Sequence, residues 1–280
     1  MQSRHNNNMV RRIVDICMTV SLLLLMAYQV TGEVLHEWIG MVMTVLVIVH
    51  QILNRKWYSA AFRGKYNPYR IVTTAVNILL LLSFVLTALS GMAMSAHAVP
   101  FLYGMSPVSL ARKMHLAMSH WSFVLMGLHL GLHIPVMTAR MKIEGKARTA
   151  LAAVFCCLAG IGFFLFLRNG WADYMFFRSA FAFLDYEKAG ALVFLENVLM
   201  LVFWAFAGYQ AAVLCRQSVR KDKADAAGWD SQESSDDQKD QTSAAGADDG
   251  FVLIEGGSFM MGSPESENWR IEDETRGHLG

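Results

Sequence analysis

Apolar residues of the chain form long blocks, and short polar segments separate one block from the next. Six blocks have about the 20 apolar residues that a helix needs to cross the hydrocarbon core of a bilayer. The pattern predicts an all-α protein, a polytopic transmembrane helical bundle of about six spans within residues 1–215. The predicted spans are residues 12–31, 35–53, 71–94, 113–136, 149–167 and 190–214.

The pattern changes after Cys215. Residues 216–250 are mainly Asp, Ser, Gln, Ala and Lys, a composition typical of a disordered linker. Residues 1–215 hold 17 Lys and Arg against 8 Asp and Glu, whereas residues 216–280 hold 7 against 15. The formal net charge of +1 therefore results from two unlike parts. A new pattern begins at Phe251, and residues 251–280 are too few to form a large core.

Basic residues near the span ends predict the orientation. With a cytoplasmic N-terminus, the inner segments hold 16 Lys and Arg and the outer segments hold 5. Because inner loops of membrane proteins are enriched in positive charge, we expect both termini in the cytoplasm. The expected location is the bacterial inner membrane, with the lipid bilayer as the main partner and no nucleic-acid partner. The chain has no C-x-x-C-H sequence, which excludes covalent c-type haem.

Histidines recur at a fixed spacing in two spans. His36 and His50 are 14 residues apart in the second span, and His115 and His129 repeat this spacing in the fourth. At 100° and 1.5 Å per residue, the members of each pair share nearly one face and lie about 21 Å apart. His133 follows His115 by five turns on the same face, so it is an alternative to His129. An imidazole inside a membrane span indicates a function by default.

The two spans run in the same direction, so the histidines fall at two levels. His36 and His115 then lie near the outer surface, and His50 and His129 near the inner surface. Two haem b groups, each held between two of these metal-ligating imidazoles, fit the arrangement. Gly40, one turn after His36, would leave room for a flat macrocycle. Arg112 would lie beside an outer propionate, although a plain positive flank is an equal interpretation.

Two other functions stay open. The histidines could serve a metal-ion transporter, or the bundle could only anchor a C-terminal domain. The aromatic residues between Trp171 and Tyr186 are typical of an interfacial belt or of a lid over a quinone-type site. Glu196, in the sixth span, is either a proton carrier or a partner for a donor at a helix end. The sequence does not decide whether the chain is an enzyme.

A resemblance strengthens the haem hypothesis. The runs that carry it are Leu35-His36-Glu37-Trp38-Ile39-Gly40, with His50 and Asn54-Arg55-Lys56-Trp57 after it, and Gly127-Leu128-His129-Leu130-Gly131-Leu132-His133 after His115. Over residues 10–215 the chain resembles the flavinylation-associated cytochromes of bacterial inner membranes. The resemblance implies a haem b protein that passes electrons between a quinol or cytoplasmic donor and an extracytoplasmic, often flavin-bearing, acceptor. It implies His36, His50, His115 and either His129 or His133 as haem ligands.

A second resemblance lies at the C-terminus. Residues 251–267 read FVLIEGGSFMMGSPESE, and Glu272-Asp273-Glu274 follow. This segment is similar to the opening of a formylglycine-generating enzyme-like (sulfatase-modifying factor) domain. Such domains are much longer, so the resemblance implies a truncated start without the active residues. We expect residues 251–280 not to fold alone.

Overall fold

The fold is built almost entirely from helices. The structure is a computed structural model that describes residues 2–61, 63, 66–104, 107–138, 145–244, 260–261 and 278–279. A short 3₁₀ turn, Pro100–Leu102, lies between the fourth and fifth helices. The helices are α1 Gln2–Met26, α2 Tyr28–Leu53, α3 Lys56–Ala61, α4 Pro68–Met94, α5 Val108–Thr138, α6 Gly145–Arg168, α7 Trp171–Met175 and α8 Gly190–Ala244.

The all-α class and the membrane character are confirmed. Four helices are long and apolar enough to cross a membrane: Tyr28–Leu53, Pro68–Met94, Lys146–Arg168 and Gly190–Val219. Large apolar side chains also cover their outer faces; Ile52 is 60% exposed and Phe164 is 61% exposed. Such surfaces suit lipid rather than water.

The helices at the other two predicted spans, α1 and α5, do not meet the combined requirement of length, hydropathy and low charge within the described residues. α1 carries Arg11, Arg12 and Asp15. α5 has 31 residues, enough to cross a bilayer, but its four histidines make it more polar.

Two backbone breaks lie between α1 and the straight part of α2. α1 ends at Met26, five residues before the predicted end of the first span at residue 31. Ala27 separates the two helices, and Gly32 interrupts α2 with φ 69° and ψ 175°. That backbone region is open almost only to glycine, so Gly32 allows the chain to bend before the straight part of α2. The bend places His36 one turn into that straight part.

α4 packs along α5, and α1 packs on α2. Asn67 caps α4 by accepting a hydrogen bond from the Arg70 N–H at 2.8 Å, and Pro68 fits the first turn, where no N–H partner is needed. The Tyr69 hydroxyl donates to the Leu132 carbonyl at 3.0 Å, which joins the start of α4 to α5.

Glycines let α5 and α8 approach closely. A Cβ atom added to Gly131 would lie 2.0 Å from the Ala205 carbonyl oxygen, and one on Gly208 would lie 2.3 Å from that of Leu128. Gly127 meets Trp204 in the same way. Small residues four apart are the usual means of close helix packing in membranes. The glycines on either side of His129 therefore face α8.

Over residues 216–244, within the predicted linker, the structure continues α8 as helix. The stretch contains no proline, which would break a helix. The chain divides into two units, Met1–Ala224 and Asp225–Gly280, with the boundary inside this helix.

In the second unit, β1 Met260–Met261 pairs antiparallel with β2 His278–Leu279. The rest of the predicted fragment at residues 251–280 lies outside the described residues. The same is true of residues 245–250 of the predicted linker.

Candidate functional site

His36 on α2 and His115 on α5 face each other. Their ring centroids are 6.0 Å apart and the rings are inclined by 74°. If one metal were bound at about 2 Å to a nitrogen of each ring, the two ring centres would be separated by a similar distance. The predicted outer pair is therefore together in space, at a distance that suits one metal centre between two imidazoles.

The carbonyl oxygen of Thr87 on α4 orients His115. Nδ1 of His115 lies 3.0 Å from that oxygen, and because a carbonyl can only accept, Nδ1 must carry the proton. Nε2 is then the atom with a free lone pair. Gly91, one turn further along α4, makes room for the ring: a Cβ there would lie 3.0 Å from Cε1 of His115.

Glu37 fixes the N-terminal part of α2 beside His36. Its carboxylate accepts hydrogen bonds from the Ser95 hydroxyl at 2.8 Å and from the backbone N–H groups of Ala96, His97 and Ala98 at 2.8 to 3.1 Å. Glu33, Glu37 and His97 each place one ligand atom within 4.8 Å of the others. The oxygens of Glu37 are already used by these donors, so its role is to hold the loop after α4 against α2.

The inner histidines also gather in one region. The ring centroids of His129 and His133 are 4.7 Å apart. His50 and Asp15 are among the groups that act electrostatically on both rings, so the predicted partners of His50 lie in its neighbourhood.

Acceptors on other helices orient two of these rings. Nδ1 of His50 donates to the Asp15 carboxylate at 2.8 Å, and Nδ1 of His129 donates to the Asn77 side-chain oxygen at 2.7 Å. Metal-binding histidines characteristically donate their second ring N–H to such an acceptor, which fixes the tautomer and leaves Nε2 free. For His133 the structure gives no such acceptor among the described residues. This difference favours His129 as the inner ligand.

A cavity of about 1340 Å³ opens beside the outer pair. Gly40 lines it, and a Cβ at that position would meet only Leu25, at 3.9 Å, so the space beside His36 is open there. Arg112 also lines the cavity, with its guanidinium 5.3 Å from the ring centre of Phe181. Nδ1 of His36 is buried and makes no hydrogen bond within the described part of the chain. The backbone of Leu25 is among the groups that affect the electrostatics of that ring.

No protein-family model, curated protein or solved structure matches the chain. The case for a site therefore depends on the geometry of its own residues.

Glu196 is tied to the outer end of α6. Its carboxylate accepts from Arg168 at 2.8 Å, from Lys188 at 2.5 Å and from the Asn169 amide at 3.2 Å. Of the two roles considered for Glu196, this geometry favours the partner of helix-end donors. It leaves a buried carboxylate with two neutralising cations.

Sequence reasoning missed Asp15, Thr87, Glu37 and Gly91. Asp15 and Glu37 did carry a signal, because an acidic residue within an apolar block is a functional hypothesis by default. Thr87 acts through its backbone, and Gly91 acts through the side chain that it lacks. Only the three-dimensional packing of α4 against α5 reveals those two roles.

Proposed function

We propose that the chain is a two-haem b-type transmembrane cytochrome of the bacterial inner membrane. It moves electrons between a quinol or cytoplasmic donor and an extracytoplasmic acceptor, one that could bear a flavin. The observation that carries the proposal is the set of oxygen acceptors at Nδ1 of His50, His115 and His129. Each leaves Nε2 free for iron, as haem ligation by a neutral imidazole requires.

The residues present fit two haem groups. His36 and His115 would hold the outer group, with Gly40 open beside it and Arg112 available to a propionate. His50 and His129 would hold the inner group. When bound, haem supplies one-electron redox chemistry that no side chain here can provide. The protein would orient the ligands, and apolar side chains such as Met43 and Phe84 line part of the outer cavity.

Glu37 and Gly32 support the outer level. Gly32 sets the direction in which α2 enters the bundle, and Glu37 ties that end of α2 to the loop after α4. His36 is thereby held between two fixed points. A ligand on such a supported helix would lose little orientation freedom on binding iron.

The visible spectrum of the purified membrane protein tests the proposal. We expect dithionite to produce a b-type α-band, with two haem groups per chain by pyridine haemochrome assay. A histidine-lined metal-ion transporter or a bare anchor would give no reducible haem bands. The absence of these bands would overturn the cytochrome proposal.

Single substitutions test the two levels. We expect His36→Ala and His115→Ala to remove one haem group and His50→Ala to remove the other. His133→Ala is the matched control for His129→Ala, because only His129 has the Asn77 acceptor. Loss of the same haem group in His36→Ala and His50→Ala would contradict the pairing.

The proposed orientation places both termini in the cytoplasm, with the His36–His115 pair at the outer side. Limited proteolysis of inverted and right-side-out vesicles tests this directly. We expect cleavage between residues 220 and 250 only in inverted vesicles, with the haem spectrum retained. Cleavage in right-side-out vesicles alone would reverse the proposed orientation.

A further inference from the structure

The cavity beside the outer histidine pair is larger than one ligand site needs. Its volume of about 1340 Å³ exceeds the range of about 300–1,000 Å³ that is common for single small-molecule sites. Its lining also includes residues that lie apart from the proposed haem ligands. These are His120 of α5, Trp171 and Tyr174 of α7, and the segment Phe181–Tyr186.

His120 presents a free acceptor to this cavity. The residue is only 8% exposed, and its Nδ1 donates to the Leu116 carbonyl at 2.7 Å. Nε2 therefore carries a lone pair, and it makes no hydrogen bond within the described part of the chain. His120 is about 140° around α5 from His115, so it points away from the proposed ligand face. An acceptor in such a buried position is suited to a ligand O–H or N–H group.

Aromatic rings surround that acceptor. The ring of Trp171 is 4.7 Å from the His120 ring, and the ring of Tyr174 is 4.9 Å from it. The Tyr174 hydroxyl accepts from the Phe183 N–H at 3.2 Å, which leaves its own proton available as a donor. Flat aromatic walls with one acceptor and one donor suit a flat aromatic ligand with polar groups on its rim.

We propose that this part of the cavity binds the reduced form of a membrane-soluble quinone, a hydroquinone. One hydroxyl of the hydroquinone donates to Nε2 of His120, and the other accepts from the Tyr174 hydroxyl. The quinone form has only carbonyl oxygens, so it cannot donate to Nε2 in this tautomer. The site therefore prefers the reduced form. The identification of the ligand as an electron donor rests on the proposed function.

Binding is measured by equilibrium dialysis of the full chain in detergent. The probe is a naphthohydroquinone methylated at both free positions of its quinone ring, since that ring cannot then react with the cysteines. It is presented to dithionite-reduced protein, and the matching quinone is presented to air-oxidised protein. We expect the hydroquinone to bind about tenfold more tightly, the usual effect of one additional buried hydrogen bond.

Variants then locate the site. We expect His120→Phe to weaken hydroquinone binding about tenfold, His120→Gln to restore part of it through its side-chain oxygen, and Tyr174→Phe to weaken it less. His97→Phe and Tyr103→Phe are matched controls that lie outside the cavity lining. Tyr174→Phe keeps the test decisive if His120→Phe does not fold. Unchanged binding in His120→Phe and in Tyr174→Phe would overturn the proposal.

Haem content, measured in the same samples, separates this inference from the proposed function. We expect every variant to retain the wild-type haem content. If His120→Phe loses one haem group, His120 is a ligand and the hydroquinone site is wrong. If the wild-type chain binds hydroquinone but holds no haem, the cytochrome proposal fails and the binding site stands.

Discussion

Replacing Gly131 by alanine tests the close contact between α5 and α8. The added Cβ would lie 2.0 Å from the Ala205 carbonyl oxygen and 2.7 Å from the Tyr209 backbone nitrogen. Ordinary contact begins at 3.4 Å, so the helices would have to separate locally by about 1.4 Å. Both opposing atoms belong to the backbone of α8, so no side chain can rotate away. Overpacking of this kind costs about 1–3 kcal/mol.

The matched control is Gly160→Ala on α6. No atom lies within 4 Å of the Cβ position at Gly160, so this variant adds only helix propensity, worth up to about 1 kcal/mol. Thermal unfolding in detergent, followed by circular dichroism, should show Gly131→Ala lower in Tm by about 2–12 °C and Gly160→Ala unchanged or slightly higher. Equal Tm values for Gly131→Ala and the wild type would refute the packing of α5 on α8.

Three further predictions concern the site. Gly91→Ala should lower occupancy of one haem group only, measured by pyridine haemochrome, because the new Cβ crowds His115 at 3.0 Å. Asp15→Ala should weaken the other haem group about 10–100-fold in a titration of haem-free protein, since His50 loses its acceptor. Glu187→Ala, at an exposed carboxylate outside the cavity lining, is the control. Glu196→Gln should lower the unfolding free energy by about 1–3 kcal/mol in denaturant titration, because two cations lose their counter-charge.

The apolar blocks predicted the helical class because length and hydropathy are local properties of the sequence. The same reasoning placed the boundary between the first two spans at residues 32–34, and the backbone is non-helical there at Gly32. The earlier break at Ala27 has no signal in polarity, because the apolar run continues past Met26. Composition predicted a linker after Cys215, and the structure continues α8 as helix to Ala244.

The spacing of the histidines predicted which rings share a helix face, because helical periodicity follows from the sequence alone. It could not choose between His129 and His133, which are one turn apart on nearly the same face. The choice depends on Asn77, which lies 52 residues before His129 in the sequence and next to it in the structure. Sequence spacing within one helix therefore specifies the candidates, and a neighbouring helix selects among them.

α4 contributes no histidine, but it orients histidines that lie on α5. It supplies the Thr87 carbonyl to His115, the Asn77 oxygen to His129 and the missing side chain at Gly91. One rigid helix thus orients a ring at each of the two levels. A rotation of α4 about its axis would disturb both rings together, whereas a shift of α2 would disturb His36 and His50 but leave the α5 tautomers unchanged. The orientation of both rings therefore depends on the position of one helix, α4.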